Sequence, residues 1–289
     1  MRLIVSPFYD AAVNLALEEV YFKHSEDDLC FIYRNNASVI VGKHQNIFKE
    51  VNLPYCINNN IAYHRRISGG GTVFHDLGNL NISLHNTRRE EFKVNYQPLL
   101  DLIIEAVKHF DIDLIQGERN DLYIQDHKVT GTACHVVRDR TIHHGTLLYN
   151  ANKELLHECL HQPLKISGRG VDSVRSNITN LKEHVSQPLS EEEFFSQFIV
   201  HLSDILDAYI DYPTDQELET AIQLRDNKYT LDSWNLDYSP PFKAEMKIEG
   251  RDCIVEVEKG KIMHVDDEDI SKKFSGTGFK ELLLHTKET

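Results

Sequence analysis

The stretch from Arg65 to Asn81 carries the groups in this chain best suited to chemistry on an anion. It reads RRISGGGTVFHDLGNLN. The two arginines supply positive charge, and the three consecutive glycines leave backbone N–H groups open to close approach. Polar side chains follow at short spacing. Such an arrangement would suit an anion that carries a flat ring, such as a nucleotide, although a plain glycine-rich turn between two strands explains the glycines as well.

Four more segments combine glycine with groups that could bind phosphate, a carboxylate or a metal ion. They are GERNDL at 117–122, KVTGTA at 128–133, HHGTLL at 143–148 and VRSNITNL at 174–181. Neither the phosphate-loop pattern GxxxxGK[ST] nor the pattern GxGxxG occurs, so neither of those nucleotide sites explains the glycine loop. The adjacent histidines at 143 and 144 would point to opposite faces of a strand, which makes a shared zinc ion difficult.

The overall charge limits the partners that the chain can attract. Its 45 acidic residues outnumber its 31 basic ones, which gives a net charge of −14. A chain of this sign has no general attraction for nucleic acid or for an anionic membrane surface. We therefore expect no nucleic-acid partner, and any role of the arginine pair must be local. Apolar stretches such as 99–107 are interrupted by acidic residues, so we also expect no membrane span.

The cysteines indicate a reducing compartment. There are five of them, scattered and without a CxxC pattern, which favours reduced thiols over a disulfide framework or a zinc site. The first residues lack the apolar core of a signal peptide and the arginine-rich pattern of a transit segment. We therefore expect a cytoplasmic protein, or a mitochondrial one from which a transit peptide has been removed.

Hydrophobic spacing predicts the elements that carry the glycine loop. Asp10 can cap a helix that runs to about residue 22. Residues 30–34 and 38–42 have the composition of two strands joined by a tight turn, which predicts a β-hairpin. Residues 80–84 alternate between apolar and polar side chains, so we predict a strand with one buried face and one polar face.

The second half of the chain is predicted to contain a hairpin, a long loop and a C-terminal region of short strands. Residues 121–124 and 128–130 predict a hairpin, which would place Lys128 beside its turn. Residues 162–187 are rich in Gly, Ser, Asn and basic side chains, a composition typical of a long functional or disordered loop. Beyond a Ser-Pro-Pro sequence, short alternating strands and a closing helix predict a small C-terminal unit.

The order of these elements favours an α+β fold with a mixed β-sheet. Strands precede and separate the helices without the regular βαβ alternation of a doubly wound sheet. A length of 289 residues suits one large unit and one small unit. We predict a larger domain over residues 1–227 and a small C-terminal α+β accessory domain over residues 228–289.

Taken together, the five segments resemble the lipoate–protein ligases of the biotin/lipoate ligase superfamily. That family's patterns RRxSGGGxVFHDxGN, NDL, KxxGxA, HHGTLL and SVRSxxxNL appear here in the same order. The resemblance covers about residues 10–240, and five ordered motifs argue against a chance match. The C-terminal unit is similar to the family's accessory domain only in position and strand content, and it is short for the family.

The resemblance implies a catalytic domain over 1–227 and a two-step reaction that uses ATP, magnesium and lipoate. The lipoate carboxylate first attacks the α-phosphate of ATP, which gives lipoyl-AMP and pyrophosphate. The ε-amine of a lysine on a lipoyl domain then attacks that mixed anhydride. The implied acceptors are the acyltransferase (E2) subunits of 2-oxoacid dehydrogenases and the glycine-cleavage H protein. We expect the chain to be monomeric.

The resemblance also implies roles for individual residues. Lys128 would contact the lipoyl carbonyl oxygen and the α-phosphate, and Asp121 would be a magnesium ligand. Arg66 would face a phosphate or carboxylate, with Arg65 a weaker candidate; from composition alone the pair could be solvated at a strand end. The other residues implied to bind ATP or the lipoyl-adenylate are Ser68, Gly69, Gly70, Gly71, Thr72, Val73, Phe74, His75, Asn79 and His144. Residues 169–175 would fold over the bound adenylate.

Two other functions fit parts of the same pattern. One is a lipoyl or octanoyl transferase that works from preformed lipoyl-AMP or from a carrier protein, without activation by ATP. A thioester form of this transferase would use Cys134 or Cys159 as its nucleophile. The other is a binding protein of the biotin-ligase type that holds an acyl-adenylate without transferring it. The sequence leaves open whether lipoate or octanoate is preferred, which acceptor is used, and whether the short C-terminal unit supports adenylation.

Overall fold

The computed structural model describes residues 1–87 and 94–285, which form strands β1–β16 and helices α1–α10. The strands are β1 Arg2–Val5, β2 Leu29–Tyr33, β3 Ser38–Val41, β4 Ala62–Arg65, β5 Val73–His75, β6 Asn79–Thr87, β7 Ile115–Gln116, β8 Leu122–Ile124, β9 His127–Lys128, β10 Thr132–Val137, β11 Arg140–Leu148, β12 Lys165–Gly168, β13 Tyr209–Asp211, β14 Phe242–Ile248, β15 Arg251–Glu258 and β16 Lys261–Val265. The helices are α1 Ala11–His24, α2 Ile47–Glu50, α3 Leu53–Asn58, α4 Gln97–Lys108, α5 Lys153–Leu160, α6 Glu191–Ile205, α7 Asp215–Leu224, α8 Asp232–Asn235, α9 Glu268–Phe274 and α10 Phe279–His285. None of these helices is both long and apolar enough to cross a membrane.

The main sheet has the order β10-β11-β6-β2-β1-β13. Strand β1 pairs in parallel with β2 and β13, whereas the pairs β2–β6, β6–β11 and β11–β10 are antiparallel. The prediction of an α+β fold with a mixed sheet is therefore confirmed. Asp10 caps helix α1 as predicted, because its carboxylate accepts hydrogen bonds from the backbone N–H groups of Ala12 and Val13.

Strand β6 differs from its prediction, because both of its faces are buried from Asn79 to His85. Helix α1 lies against this sheet, and it too is buried along almost its whole length. The polar side chains of β6 are accommodated by hydrogen bonds within the protein. Asn81 Nδ2, for example, donates to the Tyr33 carbonyl at 3.2 Å. The alternation of apolar and polar side chains along β6 therefore does not mark a buried face and a solvent-exposed face. It marks one face with apolar surroundings and one with polar surroundings inside the protein.

The glycine loop connects two strands of a second, smaller sheet with the order β4-β3-β5. The predicted hairpin of 30–34 with 38–42 is wrong, because β2 lies in the main sheet while β3 lies in this second one. The turn between them carries Asn35, whose side chain is completely buried. Its amide contacts Asn14 and His75, so this turn passes between the two sheets and does not close a hairpin.

The second predicted hairpin is confirmed. Strands β8 and β9 pair antiparallel, with Tyr123 opposite Lys128. The chain after the long loop then runs alongside β9. The Lys128 backbone N–H donates to the Asn177 carbonyl at 2.8 Å, and the Thr179 N–H donates to the Lys128 carbonyl at 3.1 Å. The position of Lys128 is thus fixed on both sides.

The C-terminal strands form a sheet with the order β12-β14-β15-β16. Its first strand, β12, comes from within the predicted long loop, so the prediction of a continuous loop over 162–187 is wrong there. This sheet also shares a core with the second sheet, since Phe48 of α2 packs on Phe242 and Phe279 at ring-centroid distances of 5.2 and 5.3 Å. The domain division at 227/228 stays a prediction.

Candidate active site

Two cavities meet at the side chain of Lys128. The first has a volume of about 550 Å³ and the second about 580 Å³. Both are lined by Thr72 and Val73 of the glycine loop and by Lys128 and Gly131 of the second hairpin. Residues 172–176 also line both cavities, so this segment lies between them. The junction is therefore the place where one bound molecule could react with another.

The two cavities differ in character. The first runs from an exposed mouth at residues 117–119 to a buried end that contains Leu15 and Ile40. The second is lined by apolar side chains, among them Leu156, and by basic groups, among them Lys153. The first cavity includes a buried apolar part that can enclose a chain-like apolar molecule, and the second combines apolar surface with basic groups that can pair with negative charge.

The structure brings most of the predicted site residues to these cavities. Those that line the first cavity are Arg66, Gly71, Thr72, Val73, His75, Asp121, Lys128 and His144. Those that line the second are Thr72, Val73, Phe74 and Lys128. The predicted residues that line neither of the two cavities are Ser68, Gly69, Gly70 and Asn79. The binding roles of these four residues stay predictions.

Lys128 is not a solvated surface lysine. Its Nζ lies 2.9 Å from Asp121 Oδ2, and the two side chains are 22% and 8% exposed. A half-buried ion pair keeps the ammonium group at the junction while leaving it able to move toward a stronger anion. The ammonium group can therefore serve as a positive charge for groups bound in either cavity.

The side chain of Arg66 fixes the conformation of the glycine loop, residues 68–72, by hydrogen bonds. Its guanidinium donates to the carbonyl oxygens of Gly69 at 2.6 Å and Gly71 at 2.7 Å, and its Nε donates to Ser68 Oγ at 2.9 Å. Both Arg65 and Arg66 are buried, so the alternative of a solvated arginine pair at a strand end is wrong. Burial lowers the pKa of Arg66 to about 10, which still leaves it charged at neutral pH. Arg66 therefore brings its positive charge to the wall of the first cavity.

Among the three consecutive glycines, the sharpest requirement for glycine falls on Gly70. Its φ is +86°, and a Cβ there would lie 2.9 Å from Arg66 Nη2. At Gly69 a Cβ would meet nothing within 4 Å. The three glycines are therefore not equivalent, although the sequence presents them as a uniform run.

We expect Gly70→Ala to lower the free energy of unfolding by about 2 kcal/mol, from the left-handed backbone and the displaced guanidinium. Gly69→Ala should cost less than about 0.5 kcal/mol, and it serves as the matched control for the loop. Urea titration measures both values. Equal losses in the two variants would contradict the contact between Gly70 and Arg66.

His144 is held by two polar partners beneath the loop. Its Nε2 lies 2.7 Å from Ser68 Oγ, and its Nδ1 lies 3.0 Å from Glu18 Oε1. Burial raises the pKa of the Glu18 carboxyl, but the neighbouring His144 outweighs it and lowers that pKa to about 2. With both ring nitrogens engaged, His144 presents a fixed ring to the first cavity. We did not predict Glu18, although two acidic residues in an otherwise apolar helix were a possible signal.

The segment between the cavities is held against the glycine loop by Ser173. Its Oγ accepts hydrogen bonds from the Thr72 backbone N–H at 2.9 Å and from Gln45 Nε2 at 3.0 Å. Beside it, Lys49 Nζ forms an ion pair with Asp172 at 2.7 Å. Neither Gln45 nor Ser173 was among the predicted site residues. The hypothesis that residues 169–175 fold over an adenylate stays a prediction.

Acid should destabilise the protein through buried histidines. Burial lowers the pKa of His75 and of His85 from the ordinary 6.5 to about 3. Both rings are therefore neutral in the folded protein and bind a proton on unfolding below pH 6.5. The free energy of unfolding should be highest above pH 6.5 and fall as the pH decreases toward 3.

Each of these two histidines should contribute up to about 1.4 kcal/mol per pH unit in that window. Urea titrations between pH 6.5 and about 4 measure the slope. The slope should be shallower in His85→Leu than in the unaltered protein, whatever the absolute stability of the variant. Identical slopes would contradict the buried neutral state of His85.

Comparison with known proteins gives a consistent result. Residues 10–203 match the family model of the lipoyl protein ligase A/B catalytic domain. Lipoate–protein ligase 1 of Staphylococcus aureus is 33% identical over 262 residues, which cover 88% of this chain and 80% of that protein. A crystal structure of lipoate–protein ligase A bound with ATP has a TM-score of 0.70 at 25% identity, with 81% of this chain and 98% of that chain covered. A bipartite lipoate protein ligase from Thermoplasma acidophilum, studied with its E2 lipoyl domain, has a TM-score of 0.69 at 25% identity, with 81% and 95% covered.

Proposed function

The chain belongs to the lipoate–protein ligase family, and on that premise we propose that it couples ATP cleavage to the lipoylation of an acceptor protein. It activates lipoate with ATP to lipoyl-AMP and then transfers the lipoyl group to a lysine of a lipoyl domain. The observation that carries this function is the position of Lys128, whose side chain lines both cavities at their junction. A ligase that joins a carboxylic acid to a nucleotide needs two adjacent sites with a cation between them.

The first cavity suits the lipoyl chain and the second suits the nucleotide. The closed end of the first is buried and contains the apolar side chains of Leu15 and Ile40. The second offers apolar surface from Phe74 and Leu156 for a base, and Lys153 in its lining offers a positive charge for phosphates. With this arrangement the carboxylate of lipoate and the α-phosphate of ATP meet beside Lys128.

Lys128 would then serve both steps. In the first step a carboxylate oxygen bonds to the α-phosphorus and pyrophosphate leaves, so two anionic groups must approach each other. In the second, the acceptor amine bonds to the carbonyl carbon, AMP leaves, and the amine loses a proton. Negative charge gathers on oxygen in both transition states, and a fixed ammonium group stabilises that charge. The flexible stem of lysine lets the same ammonium follow the charge from one step to the next.

We propose that magnesium binds with the nucleotide beside Lys128, and that Asp121 helps to hold it. Within residues 1–87 and 94–285 there is no group of three or more His, Cys, Asp or Glu side chains that could hold a metal alone. This fits magnesium, which takes one or two carboxylates together with substrate phosphates. Asp121 Oδ2 contacts Lys128, so its second oxygen is the one available to a magnesium–nucleotide complex.

The acceptors we propose are the E2 subunits of 2-oxoacid dehydrogenases and the glycine-cleavage H protein. The Thermoplasma ligase described above is paired with an E2 lipoyl domain, and its fold is similar to that of this chain. We further propose that the enzyme works as a monomer in the cytoplasm. Residues 228–289 would act as its accessory domain.

The direct test is incubation with lipoate, magnesium, ATP and an apo lipoyl domain. Pyrophosphate should be released, and the acceptor should gain the mass of one lipoyl group. Modification that requires added lipoyl-AMP, without pyrophosphate release from ATP, would favour the transferase instead. Pyrophosphate release without a modified acceptor would favour a protein that only holds the adenylate.

A thioester mechanism makes a separate prediction about cysteine. Cys159 is completely buried and packs in the core that contains Cys56. Cys134 lies on strand β10 and does not line either cavity. We therefore expect Cys134→Ala and Cys159→Ala to transfer lipoate at rates within about twofold of the unaltered enzyme, since neither thiol reaches the junction. Loss of acceptor modification in a folded variant, with pyrophosphate release intact, would support the thioester route.

A further inference from the structure

One residue that lines the first cavity, His75, has a buried ring nitrogen without a hydrogen-bond partner among the described residues. His75 lines this cavity and is 3% exposed. Its Nδ1 lies 2.9 Å from Asn35 Nδ2. Its Nε2 is buried and has no hydrogen-bond partner among the described residues. A buried ring nitrogen without a hydrogen bond lowers the stability of the protein, unless a bound ligand supplies the missing partner.

The hydrogen-bond network behind His75 fixes which of its nitrogens carries the proton. Asn14 Oδ1 accepts from Ser6 Oγ at 2.6 Å, and Asn14 Nδ2 lies 2.9 Å from the Phe8 carbonyl oxygen and 3.1 Å from that of Arg34, so the orientation of this amide is set. The same Nδ2 lies 2.8 Å from Asn35 Oδ1, which must therefore be the acceptor. The other end of the Asn35 amide, Nδ2, then donates to His75 Nδ1. The proton of the neutral ring is left on Nε2.

The ring is neutral under working conditions. Burial is the main cause that lowers the pKa of His75 to about 3, and the nearby Arg66 lowers it further. His75 therefore presents a single N–H group at neutral pH, on the nitrogen without a partner.

The other polar groups at this end of the cavity are satisfied within the protein. The Tyr33 hydroxyl forms a hydrogen bond with Glu18. Asn81 Oδ1 accepts from Asn79 Nδ2 at 3.1 Å, and Asn81 Nδ2 donates to the Tyr33 carbonyl. These groups form an end wall with Leu15 and the ring of Tyr33. Among the described residues that line the first cavity, His75 has the one buried side-chain nitrogen without a hydrogen-bond partner, Nε2.

We propose that His75 Nε2–H donates a hydrogen bond to a sulfur atom of the lipoyl ring and thereby makes the enzyme select lipoate over octanoate. The inference rests on the proposed function, because the carboxylate must lie at Lys128 and the far end of the acyl chain must then lie in the buried part of the first cavity. Sulfur is a weak acceptor. The end of a saturated chain accepts no hydrogen bond, so octanoate would bury the N–H unpaired.

The test compares kcat/KM for lipoate and for octanoate, followed by pyrophosphate release. The unaltered enzyme should prefer lipoate, and His75→Leu should reduce the ratio of the two values about fivefold, mainly through a loss with lipoate. His75→Gln retains an N–H donor on a flexible side chain, so its ratio should lie between those two. A ratio for His75→Leu within about twofold of the unaltered enzyme would overturn the inference.

His85→Leu is the matched control. His85 is also completely buried and has a ring nitrogen without a partner among the described residues, but it lines neither cavity. Its replacement removes a buried imidazole of the same kind away from the substrate. The ratio of lipoate to octanoate should stay that of the unaltered enzyme. An equal drop in both variants would show that the ratio reports loosened packing, and it would overturn the inference.

A second measurement needs no variant that must fold. In protein labelled with ¹⁵N-histidine, the Nε2–H resonance of His75 should shift when lipoate is added and shift much less with octanoate. Equal shifts with the two acids would overturn the inference. Failure of the proposed function looks different, because the unaltered enzyme would then release no pyrophosphate with either acid.

Discussion

Lys128→Ala is expected to slow both pyrophosphate release and acceptor modification by about a thousandfold. The ammonium group lies at the junction of the two cavities and contacts Asp121 at 2.9 Å. Without it, a carboxylate and a phosphate would have to meet beside the Asp121 carboxylate with no positive charge between them. The effect should appear mostly in kcat, because the lost interaction strengthens as charge develops on oxygen.

Two further variants test whether the charge of Lys128 or the shape of its side chain matters, and a third serves as the control. Lys128→Arg keeps the charge but replaces a compact ammonium with a planar group, so it should recover only part of the activity. Asp121→Asn in the Lys128→Ala background removes the unpaired carboxylate, and activity should stay low. Lys165→Ala, which removes an exposed lysine paired with Glu245, should behave as the unaltered enzyme. Near-normal turnover in folded Lys128→Ala would refute the proposed mechanism.

The features predicted correctly from the sequence are those set by neighbouring residues. Asp10 could be recognised as a helix cap because its partners lie two and three residues away. The hairpin that carries Lys128 has its two strands separated by a short turn. Motif residues such as Thr72 and Val73 do line the cavities. In each case the residues that interact are close in sequence, or the spacing of the motif residues is enough to predict their role.

The features that were missed depend on contacts between distant parts of the chain. Strand β12 pairs with β14, which lies far along the chain, and its own residues have the composition of a loop. Asn35 looks like a turn residue, yet its side chain connects Asn14 to His75 between two sheets. Glu18 acts through His144, which lies far along the sequence. Local composition cannot indicate such partners. The residues that hold the site side chains in place could therefore be identified only from the structure.

The arginine pair shows the same limit at a single position. Both arginines belong to one motif, and the sequence gives no reason to separate them. The structure places Arg66 at the wall of the first cavity, whereas Arg65 lines neither cavity and is completely buried. Arg65 is therefore a structural residue within a functional motif.

Arg65→Met is expected to lower the free energy of unfolding by about 4 kcal/mol or more. The guanidinium donates to the carbonyl oxygens of Gly42, Lys43 and Gln45 at 3.1, 3.1 and 2.7 Å. It also donates to groups of the segment 234–239, which leads into the C-terminal sheet. Methionine fills much of the volume but offers no donor, so several buried carbonyl oxygens would lose their partner.

The loss should also reach the glycine loop. Gly42 packs so closely on this loop that a Cβ on it would lie 2.1 Å from the Gly70 carbonyl oxygen. Because Arg65 holds residues 42–45 in place, its removal should slow pyrophosphate release even at temperatures where the variant stays folded. Urea titration and pyrophosphate release together measure the two effects.

Arg251→Met is the matched control, because Arg251 is 44% exposed and pairs with Asp267 on the surface. It should cost less than about 1 kcal/mol and leave activity unchanged. If Arg65→Met were no less stable than Arg251→Met, the hydrogen bonds of Arg65 would not hold the 42–45 turn to the 234–239 segment. If it were unstable but fully active when folded, the turn would not support the glycine loop. Only a loss of both stability and activity is consistent with one buried cation that joins the loop, the second sheet and the segment leading into the C-terminal sheet.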